Sequence, residues 1–422
     1  MASQSTTPRH GLDLPSPSRL AGELRHLPGF VYLDSSSSGE NADSDAYSRF
    51  SLITALPEGI YSGNLFDAFD RRALETAYQE NSSSSDSTPD LGFPGTGLYG
   101  YVTYEGDFTF GLYRDCLIYE HQNQNWIEIG DLSSHRQPTS PSPAFPDIKF
   151  TGEVSRAQFC DMVATAQEYI AAGDIYQVNL SHRFSAPIAG NFEPLDLYRR
   201  LRERSPAPYA AFIDLGERKI ISSSPEQFLS LSGRTIQTRP IKGTRPRFRD
   251  LEQDEKSAYD LITSTKEIAE LIMITDLERN DLGQICEFGS VTATELLKLE
   301  RFAQVFHLVS TVEGHLRPEI SHIEALHACF PGGSITGAPK KRSREIIEEL
   351  EPTPRGVYTG AIGCFGFNGE SRFNIAIRTA VKEQDQLHFH VGAGIVADSV
   401  PESEWEETLH KAAGIFQAAQ LS

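Results

Sequence analysis

The segment 237–247, QTRPIKGTRPR, places Arg239, Lys242, Arg245 and Arg247 together in a chain whose formal net charge is −20. Lys242 stands before a glycine among strand-like residues, which leaves three readings: a surface charge, a hook for an anion, or a nucleophile. The last needs a neutral amine, so its pocket must lower the lysine pKa through burial or neighbouring positive charge. Two pairs of carboxylates could do different chemistry. In ESEWEETLHK, Glu404, Glu407 and Lys411 are spaced i, i+3, i+7 and share one helical face, for which a solvated charged surface is the plainer reading. In STKEIAELIMI, Glu267 and Glu270 repeat the i, i+3 spacing, but Glu270 lies among Ala269, Leu271 and Ile272, where a carboxylate needs a cation. Two helices that each present such a pair could hold Mg²⁺, an ion that prefers oxygen ligands, provided the helices meet.

Other residues offer narrower options. Strand alternation in RFNIAIRTAV puts Asn374, Ala376, Arg378 and Ala380 on one side, where Arg378 could fork onto a carboxylate or simply face solvent. His307, between Phe306 and Leu308, reads on its own first as a hydrogen-bonded core histidine. FPGGSITGAPKKRSREIIEEL is a glycine-rich loop entering a helix at Pro339. Its Lys340, Lys341, Arg342 and Arg344 crowd the positive end of that helix, which is unfavourable without an anion nearby. It is not a nucleotide-binding P-loop, because Ala338 follows Gly337 and no Lys-Ser/Thr step completes the motif. GAIGCFGFNG likewise fails as a nucleophile elbow, since Ile362 replaces the required glycine.

The elements that must position these residues follow from periodicity. Polar, low-complexity stretches to about residue 18, at 80–90 and at 133–147 divide the first part, and the last reads as the main linker. Helices are predicted over SRAQFCDMVATAQEYIAA, closed by Gly173, over about 251–275 as one long element, from Pro339, and over the C-terminal ESEWEETLHKAAGIFQAAQ. Strands far outnumber the gaps long enough for crossover helices, so the fold class is α+β, with large, mostly antiparallel sheets packed as a sandwich with helices. No internal repeat is present. The acidic balance excludes nucleic acid as a partner. No run is long enough to span a membrane, and the first residues, MASQSTTPRHGLDLPSPSRL, carry no apolar signal core, so a cytoplasmic location is expected. Five scattered cysteines, Cys116, Cys160, Cys286, Cys329 and Cys364, suit reduced thiols better than disulfides.

Taken in order, GDIYQVNL, SSSPEQF, TRPIKGTRPR, DLERNDLG, HLVSTVEG, PGGSITGAPK, YTGAIG, IAIRT and GAGIVADSVPESEWEET resemble the chorismate-utilising enzymes: the anthranilate, aminodeoxychorismate, isochorismate and salicylate synthases. YLDS, YSRFSLI and GLYGYVTYE are similar, more loosely, to the N-terminal elements of the two amine-forming branches. The polar stretches set a tail at 1–18 and a linker at 133–147, and the resemblance implies an N-terminal anthranilate synthase component I-like region at 19–132 and a chorismate-binding catalytic domain at 148–422. It implies Mg²⁺ ligands at Glu270 and Glu407, with Glu267 and Glu404 accepting from metal-bound water. The enolpyruvyl carboxylate would be held by Tyr358, Arg378 and the backbone at Gly392 and Gly394. His307 would lie near the C4 oxygen and Lys411 near a carboxylate, with Thr336 of the glycine-rich loop also in contact with substrate.

The resemblance also separates the branches. Anthranilate synthases typically carry alanine where Lys242 stands, whereas many aminodeoxychorismate synthases carry a lysine that adds to ring C2 while a glutamate, here Glu226, protonates the departing C4 hydroxyl. Water-using branches place a lysine base where this chain has Gln177. The implied activity is amination of chorismate at C4 to 4-amino-4-deoxychorismate, on the p-aminobenzoate and folate route, with ammonia from a separate glutamine amidotransferase subunit in a heterodimer. The alternatives are anthranilate synthase component I and a non-catalytic ligand-binding subunit of the same fold. Trp405 and the SRFN step depart from the usual family residues without touching a proposed ligand.

Overall fold

A computed structural model describes residues 8–35, 49–82, 91–138, 145–188, 190, 192–302 and 304–420. Alternating apolar runs pair into two sheets, and every pairing among named strands is antiparallel. The first runs through Arg9–His10, Asn125–Ile129, Cys116–Glu120, Phe50–Thr54, Val31–Asp34, Tyr209–Asp214, Arg218–Ser224, Thr379–Glu383, Gln386–Ile395, Gln177–Pro187 and Gly337–Ala338. The second runs through Ile241–Pro246, Val305–His315, Thr235–Arg239, Gln227–Ser232, Glu370–Ile375, Ala361–Gly366, Gly97–Val102, Asp107–Tyr113 and Gly59–Asn64, with Thr292–Arg301 alongside Val305–His315. Strands from before and after the expected linker share both sheets, so the two stretches of sequence interleave in space. Of that linker, residues 139–144 lie outside the described residues, as do 1–7 of the expected tail and 83–90 of the second polar stretch. Within the rest of that tail, Arg9–His10 pairs with the edge of the first sheet.

The helices described are α1 (Pro17–Leu24), α2 (Ala68–Ser82), α3 (Arg156–Ala172), α4 (Pro194–Arg204), α5 (Leu251–Ile262), α6 (Thr265–Gly283), α7 (His322–Cys329), α8 (Lys340–Leu350) and α9 (Pro401–Ala419). The inner faces of the sheets meet in a core that includes Val31, Ile118 and Ile213 from one and Tyr99, Ile362 and Cys364 from the other. The outer face of the first sheet buries Tyr32 and Phe389 against Leu20 of α1, Leu197 of α4 and Ile415 of α9. The outer face of the second buries Phe228 and Leu229 with Leu74 of α2, Leu326 of α7 and Ile346 of α8. The sandwich is therefore built as expected, with helices on both outer faces. None of the described helices is long and apolar enough to cross a membrane, and four of the five cysteines are buried.

Two local departures from the sequence reading matter for function. The helix expected over 251–275 is two helices: the Thr263 hydroxyl bonds back to the Tyr259 carbonyl at 2.7 Å, and Ser264 caps a new helix by accepting the Glu267 N–H at 3.4 Å. Glu267 thus sits in the first turn of α6, where the macrodipole favours an anion. RFNIAIRTAV is likewise not one strand. It ends in the second sheet at Ile375 and resumes in the first at Thr379, and Arg378 makes the crossover at φ +50°. A non-glycine residue in that region is strained and held by its surroundings.

Candidate active site

The candidate site is assembled where the edge of the second sheet meets α6 and α9. Ile241–Pro246 pairs Lys242 with Leu308 and Thr244 with His307, and the register shifts between them at Gly243, whose φ is +77°. A Cβ there would stand 2.6 Å from Leu261 Cδ1 and 3.0 Å from Glu267 Oε2, so only glycine lets this strand lie so close to α5 and α6. The bulge turns Lys242 inward. Its side chain is 14% exposed, and Nζ lies 3.6 Å from Oε2 of Glu270, which is 11% exposed. That answers the first of the three readings: Lys242 is not a surface charge.

Glu226 follows the strand Arg218–Ser224 and is buried. Burial pushes its carboxyl pKa up to about 7, against the opposing pull of the Ser334 hydroxyl, Lys242, the Ile241 backbone and Lys411. The Ser334 hydroxyl donates to Glu226 Oε1 at 2.6 Å. A carboxyl so placed keeps a proton near neutral pH and can give it away. His307 is buried, with Nδ1 3.0 Å from the Thr244 hydroxyl. Burial and then the Arg378 cation hold its pKa down at about 3, so the imidazole is neutral. Burial also lowers the Arg378 guanidinium, against the attraction of Glu226.

The two glutamate pairs do meet. Lys266 Nζ lies 4.0 Å from Glu270 Oε1 on its own helix and 3.5 Å from Glu404 Oε1 on α9. Burial raises the Glu270 pKa, opposed by Lys242 and Lys266 and reinforced by Glu267 and Glu407. Glu407 is exposed; partial desolvation still pushes its carboxyl up, but Lys411 at 2.8 Å, then Lys242 and Lys266, outweigh it and leave the carboxyl below its usual range. Glu267 accepts from Arg245 at 3.5 Å. Among the described residues no three histidine, cysteine or carboxylate groups form a ready-made metal cage; lysine ammonium groups lie between the carboxylates. The donor set nevertheless fits a hard cation. All four groups offer oxygen, and Glu404 Oε2 is buried without a hydrogen-bond partner, while Oε1 takes the Ser399 hydroxyl at 2.7 Å.

Beside them lies the strand pair Gln386–Ile395 and Gln177–Pro187, in register at Gly394 with Asn179 and Gly392 with Ser181. A Cβ on Gly394 would stand 2.7 Å from Gln177 Nε2 and 3.3 Å from Lys242 Nζ; one on Gly392 would meet Asn179 Oδ1 at 2.8 Å and the Tyr358 hydroxyl at 2.9 Å. Gln177 Oε1 and Asn179 Oδ1 are buried without partners, two acceptors directed at this region. The Tyr358 ring stacks on His390 at 5.4 Å, and Lys411 donates to the Gly392 carbonyl at 2.9 Å. Thr336 is fully buried, and its hydroxyl donates to the Gly332 carbonyl at 2.9 Å, so its proton is committed to its own turn. The basic start of α8 finds its anion within the protein: Lys340 pairs with Asp281, Arg342 with Asp174, and Arg344 lies over the Phe66 ring. Ser334, Asn179 and Lys266 were not singled out from sequence. Each stood inside a motif, but only tertiary contacts distinguish it from its neighbours.

Residues 56–417 match the family model described as chorismate binding enzyme. The chain belongs to that family. It is 40% identical to aminodeoxychorismate synthase component 1 of Bacillus subtilis, over 75% of this chain and 71% of that protein. It is 45% identical to an anthranilate synthase component 1 of Haloarcula marismortui, over 68% of this chain and 56% of that protein. The crystal structure of anthranilate synthase component I from Streptococcus pneumoniae superposes with a TM-score of 0.76 at 31% identity, covering 90% of this chain and 95% of that one. Family members of both amine-forming branches are thus similarly near.

Proposed function

We propose that this chain aminates chorismate at C4 to give 4-amino-4-deoxychorismate, with Lys242 as nucleophile and Glu226 as proton donor. The observation that carries the reading is the placement of an inward-turned lysine close enough to act on a buried carboxyl whose pKa stands near 7. In the first step Lys242, whose ammonium must first give up a proton to solvent, bonds as the free amine to C2, the ring double bonds shift, and the C4–O bond breaks. Glu226 gives its proton to the departing oxygen, which leaves as water. Ammonia then bonds to C4, the double bonds shift back, and the C2–N bond breaks to return Lys242 as a neutral amine. The new ammonium returns one proton to Glu226, so protons balance over the cycle. The neutral His307 imidazole can hydrogen-bond the C4 oxygen, and Arg378 with the small backbone at Gly392 and Gly394 receives the enolpyruvyl carboxylate.

Glu270 and Glu407 would hold Mg²⁺, with Glu267 and Glu404 accepting from its waters; bound there, the ion would neutralise the ring carboxylate of the substrate. Gln177, which cannot act as a base, supports use of ammonia rather than water. Ammonia is expected from a glutamine amidotransferase partner. The purified chain should use ammonium but not glutamine, with activity rising with pH because ammonium cannot attack, and should gain glutamine use when the partner is added.

The second reading, anthranilate formation, is favoured by the 45% likeness to an anthranilate synthase component 1. Chorismate, Mg²⁺ and ammonium with the chain alone decide between them. A non-aromatic amino product that releases pyruvate only after a lyase is added supports the proposal, and direct release of pyruvate with an aromatic ortho-amine refutes it.

A further inference from the structure

One buried carboxylate is used by none of these roles. Glu278 lies on α6, two turns beyond Glu270, and is buried. Its Oε1 accepts the Gly333 N–H at 3.0 Å, and Oε2 accepts the Thr238 hydroxyl at 3.4 Å. Gly333 opens the short 3-10 turn Gly333–Ile335, and the next residue, Ser334, is the one whose hydroxyl donates to Glu226 Oε1 at 2.6 Å. The turn is pressed tightly onto the helix, since a Cβ at Gly333 would stand 2.6 Å from Leu277 Cδ2 and 3.1 Å from Glu278 Oε1. On its far side the Ile335 carbonyl is held by Arg355 Nη1 at 3.0 Å. A buried carboxylate that spends an oxygen on one backbone N–H of this turn is costly unless it fixes something.

We propose that Glu278 is a positioning residue for Glu226: by holding the Gly333 N–H it fixes the turn that aims the Ser334 hydroxyl at Glu226 Oε1. This inference rests on the amination reading, in which Glu226 donates the proton. A hydroxyl donated to a carboxylate favours its charged form, so a loosened turn leaves Glu226 holding its proton more tightly. The groups facing Glu226 are Lys242 from the sheet edge, Lys411 from α9, the Ile241 backbone, Arg378 from the crossover, and Glu278 itself from α6. Those facing Glu278 are Asp281 on its own helix and Lys340 of α8, which pairs with Asp281. Burial and then Asp281 push the Glu278 carboxyl up to about 7, against Lys340 and the Gly333 N–H, so near neutral pH it is partly ionised beside Glu226. Loss of that charge alone would lower the Glu226 midpoint, so a rise reports the lost geometry of the turn.

The test is an infrared titration of the full chain, following the carboxylic acid carbonyl band that disappears in Glu226→Gln. In Glu278→Ala the midpoint of that band should rise by about one pH unit, with a matching rise in Ser334→Ala and no larger rise in the double variant. Glu278→Gln keeps an oxygen for the Gly333 N–H and should stay within about 0.3 unit of the parent. Glu278→Asp withdraws the acceptor by one methylene while keeping the charge, and should shift as the alanine variant does, which covers a failure of that variant to fold. An unmoved midpoint in Glu278→Asp, additive shifts in the double variant, or an unmoved midpoint in Ser334→Ala would each overturn the proposal. The amination reading is judged apart from this, by turnover of Glu226→Gln: full activity there removes Glu226 as proton donor whatever the band does.

Discussion

Lys242 Nζ and Glu270 Oε2 stand 3.6 Å apart, and this pair ties the edge strand of the second sheet to the helix that carries half of the clustered carboxylates. The two roles proposed for the pair, nucleophile and metal ligand, are thus neighbours, and substitutions that disable one without the other separate them.

Lys242→Ala should lower C4 amination by several orders of magnitude in kcat with chorismate and Mg²⁺ binding largely kept, because the lost group acts along the reaction path. Lys242→Arg keeps the cation but stays protonated, so it should be as inactive as alanine. Steady-state kinetics check both. A lysine that only attracts a dianion would give a raised KM and near-normal kcat instead.

Glu270→Gln and Glu407→Gln should each weaken Mg²⁺ binding by about tenfold or more, since each removes a charged oxygen donor from a hard cation. Calorimetric titration with the metal alone reads this without turnover. Full activity of the parent in EDTA would contradict a metal-dependent site.

Glu226 makes the fold less stable as pH rises. Its carboxyl ionises near 7 in the folded chain against an ordinary value of 4.5, so the folded state binds more protons than the unfolded state between those values. The contribution is fully present below about 4.5 and lost as pH rises through about 7. Glu226→Gln should therefore gain stability relative to the parent at pH 8 compared with pH 4.5, by at most about 3 kcal/mol. Denaturant midpoints at the two pH values measure it, and an equal difference at both would contradict the shift.

Gly243→Ala should cost about 1–3 kcal/mol of stability, for the positive φ and the approach to Leu261 and Glu267. It should also depress kcat, because the bulge sets where Lys242 points. Thermal denaturation together with kinetics tests the two parts.

How far these features were legible in the sequence differs by cause. The antiparallel sandwich followed from many short alternating runs with few crossover-length gaps. α3 was bounded correctly because Ser155 and Gln158 form a capping box and Gly173 adopts φ +84° at the other end. The break at Thr263 and Ser264 was hidden because apolar periodicity continues across it, and only a side-chain cap ends one helix and starts the next. The crossover at Arg378 was hidden because IAIRT alternates as a strand does, while the turn is imposed by the two sheets it joins. For the site, motif resemblance singled out Lys242, Glu226 and the glutamates as candidates, whereas the meeting of α6 with α9 and the Ser334 bond to Glu226 are tertiary facts without a local signature.

The measurement that bears most directly on the central claim is intact-protein and peptide mass spectrometry of the chain incubated with chorismate and Mg²⁺ while ammonia is withheld. The expected result is a covalent adduct with the mass of chorismate less one water, mapped to Lys242, discharged when ammonium is added and absent from Lys242→Ala. A chain that aminates chorismate on addition of ammonium yet never carries that mass on Lys242, and does so equally well as Lys242→Arg, would contradict it.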